Sequence, residues 1–231
     1  MTDYYKQKLA ADRLARCYEI ASPRVRQYLR AEMDFVVSRL RKSSVVMDMG
    51  CGYGRTLPDL VKAAALVVGI DTSEASLALA RERVSAFPSC LLARMDATAL
   101  SFVDGTFDAV VCIQNGMCAF RVDKQVLIKE SLRVLRPGGV AMFSVYAARF
   151  WTHRLSWFEA QAEAGLIGPI DHQRTRDGII VCEDGLILST VRPEEFSALV
   201  AGLDVKLESV EVDESSQFYV LTKSGRDSEG G

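Results

Sequence analysis

Residues 43–57 constrain the fold more than any other stretch of this chain. They open with an apolar run, residues 45–47, which has no polar alternation and is typical of a strand buried on both faces. Gly50, Gly52 and Gly54 then alternate with other residues before a helical pattern begins. Glycine lets a ligand approach the backbone closely, and the free N–H groups of the following helix point towards that ligand. We therefore expect a ligand cradle at the carboxyl end of a central strand.

Further short apolar runs alternate with helical segments as far as residue 146. The strands predicted after the first one are residues 66–70, 90–93, 107–113 and 140–146. Strands that alternate with helices predict an α/β fold, a doubly wound and mostly parallel sheet with helices on both faces. Ligands of such sheets lie beyond the carboxyl ends of the strands. The polar residues predicted at that edge are Asp48, Asp71, Asp96, Gln114 and Tyr146.

The segments on either side of this core have different patterns. Residues 1–42 are basic and helical in character, and Ser22-Pro23 predicts a helix start because serine caps helices and proline fits their first turn. Residues 147–191 predict a helix followed by a hairpin whose turn is Asp184-Gly185. Both segments lie outside the alternating pattern, so we expect them to cover the ligand edge of the sheet.

No repeat or flexible linker divides the chain, whose 231 residues suit one large domain. A further helix and two strands, predicted to be antiparallel, follow the inserted segment, and a polar tail begins at residue 225. We expect a single domain over residues 1–231 with four parts: N-terminal helices 1–42, a core 43–146, an inserted lid 147–191, and a last helix with two strands, 192–222.

Composition narrows the classes of function. A hydrophobic fraction of 49% and a charged fraction of 25% are ordinary for a soluble globular protein, and a net charge of -2 favours neither nucleic acid nor membrane. We find neither an apolar run of about 18 residues nor an apolar signal core, so the expected location is the cytoplasm. Six scattered cysteines and two histidines predict no metal site.

The acids at the sheet edge suggest the kind of ligand. Asp71 follows Gly54 by 17 positions, at the end of the neighbouring strand, where a carboxylate can accept two hydrogen bonds from a ribose diol. Asp96 lies one strand further out and could accept the amino group of an adenine. The dinucleotide NAD would favour the spacing G-x-G-x-x-G, whereas this chain has D-x-G-x-G-x-G. The pattern therefore favours an adenosyl cofactor over NAD.

At these residues the chain resembles the class I S-adenosylmethionine-dependent methyltransferases. The resemblance covers roughly residues 40 to 222, and its motifs arrive in the family's order and spacing. They are Asp48-Met49-Gly50-Cys51-Gly52-Tyr53-Gly54, Asp71, Met95-Asp96-Ala97, Phe107-Asp108-Ala109-Val110-Val111 and Leu135-Arg136-Pro137-Gly138-Gly139. The resemblance implies a seven-stranded Rossmann-like sheet, mostly parallel with one antiparallel strand. It also implies that residues 43–146 bind S-adenosyl-L-methionine.

The resemblance further implies roles for individual residues. The glycines would flank the methionine part of the cofactor, Asp71 would hold its ribose hydroxyls, and Asp96 would accept the adenine amino group. Asp96 could instead serve only as a turn residue, since aspartate often starts turns. The full set of expected cofactor residues is Asp48, Gly50, Cys51, Gly52, Gly54, Asp71, Thr72, Asp96, Ala97, Ile113 and Gln114.

Methyl transfer from a sulfonium is a direct displacement, which requires alignment of the acceptor more than a catalytic triad. A general base is needed only if the acceptor arrives protonated. The candidates in the two flanking segments are Tyr5, Tyr18 and His172, although a lone histidine in a polar loop is more often a surface residue.

The leading interpretation is therefore a methyltransferase acting on a small molecule, as a monomer or homodimer without a membrane partner. One alternative is an RNA or protein methyltransferase that uses the basic N-terminal helices, although the overall charge argues against nucleic acid. Another is a non-catalytic regulatory protein that binds S-adenosylmethionine.

Overall fold

The computed structural model describes residues 4–225, which fold around a seven-stranded sheet. The first three residues of the predicted N-terminal helices and the predicted tail after residue 225 lie outside the described range. The strands of the described chain are β1 (Val45–Met49), β2 (Leu66–Asp71), β3 (Cys90–Arg94), β4 (Phe107–Cys112), β5 (Leu135–Tyr146), β6 (Ile180–Val181), β7 (Ile187–Leu188), β8 (Val205–Val212) and β9 (Ser216–Lys223).

The strand order in the main sheet is β3-β2-β1-β4-β5-β9-β8. Strands β1 to β5 pair in parallel, whereas β9 pairs antiparallel with both β5 and β8. A single antiparallel strand near one edge is what the sequence predicted, and the α/β class and mostly parallel sheet are confirmed. The predicted hairpin is also present, because β6 and β7 pair antiparallel on either side of Asp184-Gly185.

Nine α-helices connect and cover the strands of the described range. They are α1 (Tyr4–Lys8), α2 (Ala11–Glu19), α3 (Pro23–Ser38), α4 (Leu57–Ala63), α5 (Glu74–Arg83), α6 (Gly116–Ala119), α7 (Lys124–Val134), α8 (Trp151–Glu163) and α9 (Pro193–Val200). Helix α3 begins as predicted: Ser22 Oγ accepts the amide of Val25 at 3.3 Å, and Pro23 occupies the first helical position.

One strand boundary differs from the prediction. Strand β5 was expected to begin at Val140, after the proline and glycines, but it begins at Leu135. Leu135 already pairs with Phe107, and the register then shifts so that Ala109 pairs with Val140. The residues between them, 136–139, form an irregularity in the ladder. A bulge of this kind depends on the neighbouring strand, which is why the local sequence did not reveal it.

The buried side chains form three adjoining clusters. One packs α7 and α9 against one face of the sheet, and another packs α3, α4 and α5 against the opposite face. The third joins the N-terminal helices to the inserted residues 147–191, with Leu9, Cys17, Trp157 and Ile180 among its members. The two flanking segments therefore pack against each other as well as against the sheet. Within residues 4–225, none of the helices combines the length and apolar character that crossing a membrane would require.

Candidate functional site

A cavity of about 200 Å³ lies beyond the carboxyl ends of β1, β2 and β4. Residues from α1 and α2, including Tyr5 and Tyr18, form part of its wall. Eight of the residues expected at the cofactor also line it: Gly50, Gly52, Asp71, Thr72, Asp96, Ala97, Ile113 and Gln114. The structure thus brings together residues that are distant in the sequence, at the edge of the sheet where parallel folds bind ligands.

The glycine turn after β1 has a geometry that side chains would prevent. The amides of Gly50 and Cys51 both donate to the carbonyl of Ile70 at 2.9 Å, which ties the turn to β2. Gly50 has a φ of +79°, and a Cβ atom there would lie 2.5 Å from the ring of Phe120. Gly54 serves a different purpose, because a Cβ atom on it would meet Ala80 of α5 at 3.0 Å. Gly50 therefore shapes the cavity, whereas Gly54 permits close packing of a helix.

Asp71 is held rigidly at the end of β2. Its Oδ2 accepts the amide of Gly52 at 3.0 Å, and its Oδ1 accepts the amide of Ser73 at 2.8 Å. Each oxygen of a carboxylate can accept more than one hydrogen bond, so both retain the capacity to bind hydroxyl groups in the cavity. Ser73, and not Thr72, caps α5, since its Oγ accepts the amide of Ser76 at 3.2 Å.

Asp96 has the turn role that the sequence offered as an alternative, and it also lies in the cavity wall. Its Oδ1 accepts hydrogen bonds from the amide and hydroxyl of Thr98, at 2.8 and 2.7 Å, so it does organise a turn. Asp96 is also exposed and stands in the cavity wall beside Met95 and Ala97. A turn residue in this place can still present a carboxylate oxygen to an adenine.

The turn after β4 carries unusual backbone conformations. Gln114 and Asn115 have φ angles of +56° and +61°, which place two consecutive non-glycine residues in the left-handed region. Such conformations cost about 1–3 kcal/mol each and persist where surrounding contacts hold them. Here the Gln114 amide donates to Ser144 Oγ at 2.8 Å, the Asn115 amide donates to Ser144 O at 3.0 Å, and Asn115 Nδ2 donates to Ser189 O at 2.8 Å.

A smaller pocket of about 60 Å³ shares Gly50, Gly52 and Gln114 with the main cavity. Two residues that were expected at the cofactor, Asp48 and Cys51, line this inner pocket and not the main cavity. Asp48 Oδ2 accepts the hydroxyl of Thr56 at 2.5 Å, and burial raises the pKa of Asp48 to about 6. Asp48 therefore stabilises the glycine turn through its hydrogen bond with Thr56.

The inner pocket also contains Arg55, which the sequence reasoning missed. Its Nη2 atom and the Nε2 atom of Gln114 are buried and have no hydrogen-bond partner within the described chain. Both atoms are donors, and both residues line the pocket. Unpartnered buried donors are costly, so two of them in one small pocket indicate a site for an acceptor or anionic group of a ligand. The available signal was an arginine directly after the third glycine of the motif.

Of the three catalytic candidates, Tyr5 and Tyr18 line the cavity and His172 does not. Burial raises the pKa of both phenols well above the ordinary value, so both stay protonated at neutral pH. Tyr18 donates its hydroxyl to Gln114 Oε1 at 2.7 Å. The side chain of His172 is 68% exposed and lies 4.0 Å from Glu159 on the inserted segment. That position is away from the cavity, as is usual for a histidine in a polar loop.

Specific hydrogen bonds join the two segments that flank the core. Tyr4 donates its hydroxyl to Asp184 Oδ2 at 2.5 Å, and Trp157 Nε1 donates to the carbonyl of Cys17 at 2.9 Å. Arg13 Nε donates to the carbonyl of Leu166 at 2.7 Å. These bonds fix α1 and α2 to the inserted segment, so both segments are held together beside the cavity.

Residues 46–139 match a family model described as a methyltransferase domain. The chain is 32% identical over 136 residues to 2-methyl-6-phytyl-1,4-hydroquinone methyltransferase of Synechocystis sp., which covers 55% of this chain and 42% of that protein. It is 36% identical over 106 residues to demethylmenaquinone methyltransferase of Staphylococcus aureus, with coverages of 45% and 43%. The chain thus spans less than half the length of these two curated relatives.

Solved structures share the fold over most of the chain. A protein from Pyrococcus horikoshii has a TM-score of 0.67 at 22% identity and covers 97% of this chain and 100% of its own. An amino pentose methyltransferase from Micromonospora echinaspora, solved with S-adenosylmethionine bound, has a TM-score of 0.60 at 20% identity, with coverages of 84% and 90%. A [4+2]-cyclase, SpnF, has a TM-score of 0.59 at 18% identity, with coverages of 84% and 80%.

The cavity and the adjoining inner pocket also fit the family's cofactor: Gly50 and Gly52 leave the backbone open to a ligand, two carboxylates follow neighbouring strands, and Arg55 and Gln114 carry unpartnered buried donors. The motif match, the sheet order and this donor set agree: residues 46–139 match a methyltransferase domain, and together they support a class I S-adenosylmethionine-dependent methyltransferase with S-adenosyl-L-methionine as its cofactor.

Proposed function

We propose that this chain transfers the methyl group of S-adenosylmethionine to a small-molecule acceptor by direct in-line displacement. The observation that carries the proposal is the convergence of Asp71, Asp96, the glycine turn and the donors of Arg55 and Gln114 on one connected cavity. The proposal takes the chain as one domain, in which residues 1–42 and 147–191 form a lid over a cofactor-binding core.

Each polar group of the cavity suits one part of the cofactor. Asp71 would accept hydrogen bonds from the two ribose hydroxyls, and Asp96 would accept one from the adenine amino group. Carboxylate oxygens are acceptors, and both residues lie at the strand ends where such folds bind ligands. Arg55 Nη2 and Gln114 Nε2 would donate to the methionyl carboxylate, which would satisfy both buried donors. When bound, the cofactor supplies a methyl group activated by a positively charged sulfur.

The chain's own contribution is alignment and the exclusion of water. Displacement needs the acceptor atom held about 3 Å from the methyl carbon and in line with the leaving sulfur. Leu9, Leu14 and the rings of Tyr5 and Tyr18 close the lid side of the cavity with apolar surface. The Tyr5 phenol can donate a hydrogen bond to an acceptor, whereas the Tyr18 hydroxyl already donates to Gln114 Oε1. Burial raises the pKa of both phenols, so neither is ionised at neutral pH to serve as a base.

A small acceptor is favoured because the N-terminal helices border the cavity and pack against the inserted segment, which within the described chain leaves no open groove for a macromolecule there. The two curated relatives named above act, by their names, on a hydroquinone and on demethylmenaquinone. The basic side chains of α3, which an RNA-binding surface would need, are engaged within the chain. Arg24 pairs with Asp213 at 2.7 Å, and Arg39 at the end of the helix pairs with Glu208 at 2.6 Å.

The fold alone does not imply methyl transfer, since one structural neighbour is named as a cyclase. Two measurements on the purified chain separate the possibilities. Calorimetry with S-adenosylmethionine tests binding, and incubation with methyl-labelled cofactor and metabolite, RNA or protein fractions tests transfer. We expect binding and label in the metabolite fraction. Label in RNA or protein would support the macromolecular alternative, binding without transfer a regulatory role, and absence of binding would refute the proposal.

A further inference from the structure

Glu32 is a fully buried carboxylate on α3, far from the family motifs. Its side chain is 0% exposed. Its Oε1 atom accepts the hydroxyl of Ser144 at 2.6 Å and the hydroxyl of Ser216 at 2.8 Å, while Oε2 has no hydrogen-bond partner within the described chain. Burying an acid is unfavourable, and hydrophobic residues occupy the neighbouring positions of the same helix face. The residue therefore calls for an explanation beyond packing.

Ser144 connects this carboxylate to the cofactor cavity. Its Oγ donates to Glu32 and accepts the amide of Gln114 at 2.8 Å, and its carbonyl accepts the amide of Asn115 at 3.0 Å. Gln114 and Asn115 are the two residues with left-handed backbone conformations after β4. Because the hydroxyl hydrogen of Ser144 points to Glu32, the oxygen lone pairs are free to accept the Gln114 amide. Glu32 thus fixes the orientation in which Ser144 holds the turn.

We propose that Glu32 is a positioning residue of the cofactor site, which acts through Ser144 to hold Gln114 in the conformation that lines the cavity. The inference rests on the proposed function, because it assumes that this cavity binds S-adenosylmethionine. A displacement of the turn after β4 would affect cofactor binding through Gln114. Its side chain accepts the hydroxyl of Tyr18 from the lid, and its unpartnered Nε2 lies in the inner pocket.

Ser216 provides a matched control for Ser144. Both hydroxyls donate to the same carboxylate oxygen, and both side chains are fully buried. Ser216 lies at the start of β9 and its hydroxyl bonds to Glu32 but not to the turn. Loss of either hydroxyl removes one hydrogen bond to Glu32, and loss of the Ser144 hydroxyl also removes the bond that the Gln114 amide donates to it. Only the loss of Ser144 breaks the connection between Glu32 and Gln114.

The test measures the dissociation constant of S-adenosylhomocysteine by calorimetry and the melting temperature of each full-length variant. We expect Glu32→Ala and Ser144→Ala each to weaken binding about tenfold, the effect of losing one hydrogen bond at equilibrium. Glu32→Gln keeps an oxygen that both serines can reach, so it should bind within about threefold of the wild type, as should Ser216→Ala. The double variant Glu32→Ala/Ser144→Ala should bind no more weakly than either single variant, because both act on one connection.

A purely structural role predicts other results. The inference is overturned if folded Glu32→Ala binds like the wild type, if Ser216→Ala weakens binding as much as Ser144→Ala, or if the two alanine effects add. Should Glu32→Ala fail to fold, Glu32→Met, which fills a similar volume without an acceptor oxygen, takes its place with the same expected and refuting results. If the wild type itself binds no S-adenosylhomocysteine, the proposed function fails first, and the inference fails with it.

Discussion

Replacing Glu32 by glutamine should change how the stability of the fold depends on pH. Burial raises the pKa of Glu32 from its ordinary value of 4.5 to about 7, and hydrogen bonds from Ser144 and Ser216 offset part of that rise. The groups that face it are Tyr28 on the same helix, Arg55 after the glycine turn and Tyr146 at the end of β5. Burial raises the pKa of both tyrosines, and a guanidinium stays charged throughout the range considered. Glu32 is therefore the member of this group that titrates between pH 5 and 8.

The sign follows from the direction of the pKa change. Between pH 4.5 and about 7 the folded chain holds a proton on Glu32 that the unfolded chain has released, so stability falls as the pH rises. Stability from this residue is fully present below the unfolded pKa and is lost once the pH exceeds the folded pKa. The difference between pKa values of 4.5 and about 7 corresponds to about 3 kcal/mol.

Glutamine has the same shape and does not titrate, so Glu32→Gln should lack this loss. The free energy of unfolding of the variant minus that of the wild type should increase by about 2–3 kcal/mol between pH 5 and pH 8. Urea unfolding followed by circular dichroism at several pH values measures it. Asp48, whose pKa burial also raises, is present in both proteins and cancels in the difference. A difference that stays constant across this range would refute the assignment of a titrating buried acid at Glu32.

Three further predictions concern the cofactor cavity and its lid. Asp71→Ala should lower S-adenosylmethionine affinity more than tenfold, since it removes the acceptors for the ribose hydroxyls; undiminished binding in calorimetry would contradict that role. Gly50→Ala should abolish binding and leave the fold intact by circular dichroism, because the new methyl group would displace the ring of Phe120; normal affinity would show that the ring can move away freely. Deletion of residues 1–20 should reduce methyl transfer more than it lowers the melting temperature, and full turnover by the truncated chain would argue against a lid.

The sheet could be predicted from the sequence because its signals are local. Each parallel strand contains a short apolar run, and a helix follows each of them except β3. Ser22 and Ser73 both cap helices in the structure as the residue types suggest. The antiparallel pair β8 and β9 was predicted as two final antiparallel strands, and the structure confirms it. The short helix α6 and the bulge at residues 136–139 were missed, and the bulge depends on a neighbouring strand.

The site was harder to predict because its supporting contacts are distant in the sequence. Glu32 lies 112 positions before Ser144 and 184 before Ser216. The left-handed conformations of Gln114 and Asn115 could not be read from residue type, because glycine is the usual signal for them. One signal was available in retrospect: Glu32 falls on the buried face of α3, between Leu29 and Val36, where an acid is out of place.

The acceptor specificity should lie in the parts of the chain that the family match does not cover. The match spans residues 46–139, whereas the two flanking segments are residues 1–42 and 147–191. These segments are bonded to each other, as Tyr4 with Asp184 shows, and they contribute Tyr5 and Tyr18 to the cavity wall. Because the two segments are bonded to each other, exchanging only one of them with a relative should break those contacts before it could transfer specificity.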